Sequence, residues 1–156
     1  MHLNAAMYSV KRVLLILVVL AIEMLAGCGS IPMGSAEDDV RAKSFAVNPK
    51  KVVIYVYRRE SLGFAVPMTV KLDGREVGRT VGQTYFMWEV DPGPHEIASY
   101  AEDAVTVKLN TEPGKYYYVW QEVKIGVWMA RSLLHEVDEE TGRQGVTECK
   151  LGKSNI

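Results

Sequence analysis

The hydrophobic rhythm of the chain changes twice. Val13 to Ile22 is an unbroken apolar run, residues 29–50 are mixed and rich in turn formers, and from Lys51 the apolar runs shorten to strand length. Val52-Val53-Ile54-Tyr55-Val56-Tyr57-Arg58 is β-branched and aromatic on both faces, as in a central strand covered on each side. Met68 to Leu72 alternates, Asp73-Gly74 turns and Arg75 to Arg79 returns. Asp-Gly between alternating runs is a strong hairpin signal. Thr84 to Val90 is a further strand. Asp91-Pro92-Gly93-Pro94 then turns, because both prolines lack a backbone donor and Gly93 permits positive φ. His95 to Tyr100, Val105 to Leu109, Tyr116 to Val123 and Arg131 to Val137 continue the series. Short strands at regular spacing predict a mainly β protein: a single antiparallel β-sandwich or partly open barrel.

Two short helices complete the expected architecture. Ser35 is placed to cap the N-terminal one, with Glu37, Asp38 and Asp39 in a first turn where negative charge suits the helix dipole. It is expected to run to about Phe45, with Val40 and Phe45 pinning it to the domain. Asp138 caps the C-terminal one ahead of Glu139 and Glu140, and this helix is expected to continue to about Lys150, with Val146 and Cys149 on one face. Gly142 and Gly145 weaken it on propensity alone.

The first 27 residues read as a leader. Lys11 and Arg12 precede the apolar run, and small residues follow it. A spanning helix needs about 20 apolar residues, whereas this run is interrupted by Glu23. A plain signal peptide favours Ala-x-Ala before the cut. Leu25-Ala26-Gly27-Cys28 instead resembles the bacterial lipobox at all four positions. That resemblance implies cleavage before Cys28 and acylation of its sulfur and amine by diacylglycerol and an N-acyl chain. Gly29 after the cysteine, where an aspartate would retain a lipoprotein in the inner membrane, points to the periplasmic face of the outer membrane. The expected organisation is a leader over 1–27, a lipidated tether over 28–50, the β domain over 51–152 and a tail over 153–156.

Composition narrows the function classes. Removing the leader takes Lys11, Arg12 and Glu23 from 18 basic and 19 acidic side chains, leaving 16 and 18 and a net charge of −2. That balance carries no electrostatic footprint for nucleic acid. It also offers no polybasic patch as a second membrane signal, so the lipid alone must anchor. With Cys28 acylated, Cys149 has no partner for an intramolecular disulfide, and burial is its expected fate.

Several segments together resemble an uncharacterised family of proteobacterial lipoproteins whose domain has no known function. They are Phe45, Ile54-Tyr55-Val56-Tyr57-Arg58, Leu72-Asp73-Gly74, Asp91-Pro92-Gly93-Pro94-His95, Gly114-Lys115-Tyr116-Tyr117-Tyr118-Val119 and Val137-Asp138-Glu139-Glu140-Thr141-Gly142. The likeness covers about residues 43–152. Val70 to Ile97 is also similar to PEGA-type β-sandwich domains of bacterial surface proteins. The resemblance implies a small envelope β-sandwich and carries no functional residue across.

The residues themselves offer no catalytic constellation. His95 and His135 lie in different segments without metal-ligand spacing, so no metal and no cofactor beyond the lipid is expected. There is no Gly-x-Ser-x-Gly elbow and no phosphate loop. The chain is therefore read as a non-catalytic interaction module. The alternatives are a lipoprotein contacting peptidoglycan and, behind it, an envelope hydrolase. Candidate binding residues are Arg58, Tyr116, Tyr118, Trp120 and Trp128. Tyr116, Tyr118 and Trp120 share one strand face, which is either covered by the C-terminal helix or open as a platform for protein or glycan. Trp128 sits in a stretch, Ile125 to Met129, that reads as an exposed loop or as a core insertion. Arg58 either pairs locally at the strand end or recognises a carboxylate or phosphate.

Overall fold

The computed structural model describes residues 31–46, 48–61, 66–101, 103–125 and 130–156. The leader, its Leu25-Ala26-Gly27-Cys28 motif, Gly29 and Trp128 lie outside the described residues. The elements are α1 (Ala36–Ala42), β1 (Val52–Arg58), β2 (Met68–Leu72), β3 (Arg75–Thr80), β4 (Thr84–Val90), β5 (Gly93–Tyr100), β6 (Ala104–Thr111), β7 (Tyr116–Ile125), β8 (Ala130–Val137), α2 (Glu139–Thr147) and β9 (Lys150–Leu151).

The strands form a β-sandwich. One sheet has the order β8-β7-β1-β4-β9, the other β3-β2-β5-β6. β1 is central and every residue in it is buried, as its unbroken apolar sequence requires. One face, with Ile54, Val56, Phe86, Trp88 and Val119, meets Val70, Leu72, Val77, Ile97 and Leu109 of the second sheet. The opposite face is a tyrosine layer: Tyr55, Tyr57, Tyr85 and Tyr118 pack with Ala42, Val146 and Cys149 beneath the two helices. Helices, sheet and sheet thus stack as three layers around two cores.

Asp73 and Gly74 both take positive φ, so the β2–β3 connection has the tight hairpin turn its sequence announces. Two pairings depart from the antiparallel expectation: β1–β7 and β4–β9 are parallel. The chain crosses to the second sheet for β5 and β6 before it returns as β7, and that excursion permits a parallel neighbour. β5 begins at Gly93, inside the segment expected to be wholly turn.

Both helix caps form. Ser35 Oγ accepts from the Asp38 amide and the Asp138 carboxylate from the Thr141 amide. α1 ends at Ala42, short of Phe45. Val40 is 71% exposed and pins nothing, whereas the Phe45 ring packs against Tyr55 at 5.6 Å. α2 stops at Thr147, because β9 follows as an edge strand too short to leave a periodic signal.

The expected tether and tail belong to the folded body. Ile31 is buried, Met33 bridges Gly152, and the Gly34 amide donates to Leu151 O at 2.9 Å. The Asn155 amide reaches Val77 O in the second sheet, and Ser154 Oγ accepts from Trp88 Nε1, both at 2.9 Å. The C-terminal residues therefore lace the two sheets together.

Candidate functional site

The direction of β1 gives the sandwich two ends, one at Val52 and one at Arg58. At the Arg58 end β7 runs on past β1, which it pairs only from Tyr116 to Trp120. The overhang pairs with β8 and brings Trp120 opposite His135, their rings 5.3 Å apart. The Arg59 guanidinium lies 4.9 Å from the Trp120 ring centre. Trp120 Nε1 donates to Glu60 Oε1 at 2.6 Å, and His135 Nε2 meets Glu122 Oε2 at 2.9 Å. The second oxygen of Glu60 is buried and has no hydrogen-bond partner among the described residues. A buried carboxylate oxygen wants a donor, and here it borders an aromatic ring with a cation over it. This half-buried cluster presents the exposed Arg59 guanidinium and the edge of the Trp120 ring together.

Behind it the interior turns polar. Thr80 Oγ1 donates to Gln121 Oε1 at 2.5 Å, Gln121 Nε2 to Ser99 Oγ at 2.6 Å, and Ser99 meets Ser132 at 2.7 Å. The chain of bonds ties β3, β5, β7 and β8 together and satisfies each buried group in turn. It locks the two sheets in register beneath the cluster.

Of the candidate residues, Trp120 alone among those described joins this cluster. Arg58 is fully buried and donates to Val66 O at 2.6 Å, so it braces the structure and offers no recognition surface. Burial lowers its pKa, and the nearby Glu60 charge partly offsets that. Tyr118 is buried beneath α2, its phenol pushed up to about 12 by desolvation. Tyr116 is half-buried, with the Arg143 guanidinium 5.4 Å from its ring centre and its hydroxyl donating to Phe45 O. The open-platform reading is therefore corrected for Tyr116 and Tyr118, which α2 and the Phe45 segment cover. Arg59, Glu60 and Glu122 escaped the sequence reading because their meeting with Trp120 depends on strand register.

The two histidines are apart. His95 Nδ1 lies 2.7 Å from Asp73 and its Nε2 2.8 Å from Asp91 O, clamping two turns at the Val52 end. Burial pushes its pKa down, but the bonds to Asp91 and Asp73 outweigh this and raise it. Among the described residues no three His, Cys, Asp or Glu side chains converge as metal ligands.

A cleft of 710 Å³ opens elsewhere, between α1, β4 and the C-terminal segment. Asp38, Arg41, Glu89 and Lys153 supply its charge, and Met87 and Ile156 its apolar surface. Its wall is held by Asp39, whose carboxylate accepts from Lys43 Nζ at 2.9 Å, Tyr85 Oη at 3.0 Å and the Leu151 amide at 2.9 Å. Burial pushes the Asp39 pKa up, but these three donors prevail and lower it. The carboxylate thus staples α1 to β4 and β9.

Comparison with known proteins returns a family without an assigned activity. The family model described as a protein of unknown function, DUF2846, matches residues 40–132. An uncharacterized protein of Haemophilus influenzae is 28% identical over 135 residues, covering 85% of this chain and 80% of that protein.

Proposed function

The chain belongs to the DUF2846 family, and from that premise we propose that it is a lipid-anchored, non-catalytic binding module of the bacterial envelope. The leader with Leu25-Ala26-Gly27-Cys28 supports the anchor, at the periplasmic face of the outer membrane given Gly29. Similarity of Val70 to Ile97 to PEGA-type surface domains supports the same setting. The observation that carries the binding reading is the Arg59–Trp120–His135 cluster, a half-buried indole at one end of the sandwich with an exposed guanidinium over its ring. A protein partner suits both halves of such a site: an acceptor for the exposed Arg59 guanidinium and an apolar group against Trp120.

In-cell photo-cross-linking from position 59 of the intact lipoprotein tests this. A reproducible protein adduct that disappears in Trp120→Ala is the expected result. Muropeptide adducts alone would replace the protein partner with peptidoglycan. Adducts at background level from this end would remove the reading, and hydrolase assays on the purified protein would follow.

A further inference from the structure

The described residues begin at Ile31, close in sequence to the cysteine that the leader motif marks. Met33 pairs antiparallel with Gly152, and Lys153 N donates to Pro32 O at 2.9 Å. β9 runs parallel to β4, with Thr84 beside Lys150 and Tyr85 beside Leu151. Beyond it, Ser154 bonds Trp88, so the C-terminal segment follows β4 towards Val90. β4 is antiparallel to β1, with Val90 opposite Val52. Residues 33 back to 31 therefore run towards the Val52 end, and the chain enters the body from that side. The Trp120 cluster stands at the other end of β1, about 20 Å away at roughly 3.3 Å per strand residue.

Three Cα–Cα steps, through Gly29 and Ser30, separate Ile31 from Cys28. Even fully extended they span no more than about 11 Å. An acylated Cys28 sits at the bilayer surface, so a body starting at Ile31 has no length of chain on which to stand off. Met33 itself stands level with Phe86 and Val56, but the Val52 end carries the exposed apolar side chain of Ile156, at 51%. Ile156 shares the cleft with Gly34, Arg41 and Lys153.

We infer that the Val52 end of the sandwich, with Ile156 and the cleft, rests on the phospholipid surface that holds Cys28, leaving the Trp120 end facing away. This rests on the lipid anchor proposed above. The geometry makes the lipoprotein an oriented stub, with its membrane side and its partner side set by strand direction.

The test uses the full chain, expressed with its own leader and confirmed by mass to carry lipid at Cys28. Ile156→Cys and Arg131→Cys variants, labelled with a fluorophore, are placed in phosphatidylethanolamine–phosphatidylglycerol vesicles containing a headgroup-region spin-labelled lipid as quencher. Buried Cys149 stays unlabelled in the folded protein. Unfolding midpoints equal to the parent protein's confirm that the labelled variants are folded. Quenching several-fold stronger at position 156 than at 131 is expected, and a 20-residue Gly-Ser insertion after Ser30 should collapse that difference. Equal quenching at both positions in the lipidated protein would overturn the orientation while leaving the anchor intact. A chain with no lipid at Cys28 would overturn the anchor, and the orientation with it.

Discussion

Gly142 and Gly145 make the sharpest test of the three-layer packing, because propensity and packing pull in opposite directions there. A methyl group at Gly145 would lie 2.0 Å from Tyr57 Cε2 and 2.5 Å from its Cζ. At Gly142 it would lie 2.1 Å from Tyr118 Cγ. Carbon atoms pack at about 3.5–4.0 Å, so the ring or the helix must move by about 1.5 Å. Neither has room, since both tyrosines are buried in the layer between α2 and the sheet. Replacing glycine by alanine in a free helix gains about 0.8–1 kcal/mol. Overpacking a filled core typically costs about 1–3 kcal/mol, and a contact this short belongs at the upper end. The expected net for Gly145→Ala is a loss of about 1–2 kcal/mol. With a urea slope of about 1.5 kcal/mol/M, the midpoint falls by about 1 M. Urea unfolding followed by tryptophan fluorescence reads this directly. Shrinking the ring with Tyr57→Val should reduce the cost of the same alanine, a coupling that a double-mutant cycle isolates. A Gly145→Ala protein with a midpoint above its parent's would refute the argument that close approach of α2 requires these glycines.

Three further outcomes follow from the charged and buried groups. Asp39→Asn leaves the α1–β9 staple without its charge and is expected to cost about 1–3 kcal/mol in urea unfolding. Because the folded Asp39 pKa is lowered, its contribution is full above the ordinary carboxylate value of 3.8 and lost as pH falls through the lowered value; the variant should flatten that acid slope. His95 behaves oppositely. Its folded pKa is raised, so its contribution is full below 6.5 and lost as pH rises through the raised value, and thermal melts of His95→Gln across that window should lose the dependence. Cys149 is buried and its thiol is pushed up to about 12, first by desolvation. A disulfide-exchange reagent should leave it untouched in buffer and titrate it in urea, and rapid modification of the native protein would contradict the helix cover.

Local chemistry announced itself in the sequence, and long-range register did not. β1 was legible because seven consecutive apolar or amphipathic residues admit only a strand covered on both faces. The Asp73-Gly74 hairpin and the caps at Ser35 and Asp138 were legible because each is decided within four residues. The split of Tyr116, Tyr118 and Trp120 from Tyr117 and Val119 followed from strand alternation, and the two cores divide along that line. Sequence could not say that α2 rather than solvent lies over Tyr118, since helix and strand touch only in the finished fold. Gly142 and Gly145, weak points by propensity, proved to be the surface that lets α2 lie flat. Arg58 read as a strand end that either pairs locally or recognises an anion, and only the neighbouring strands decide that it is buried. The Trp120–Glu60 bond joins residues 60 apart, beyond any local pattern.

The most direct test of the envelope account is the mass of the N-terminal peptide from protein made in a diderm bacterium with its own leader. The account predicts a chain that begins at Cys28 and carries diacylglycerol and an acyl group, with Cys28→Ser abolishing the modification. An unmodified peptide spanning Gly27 and Cys28, or a mature chain beginning elsewhere, would contradict it.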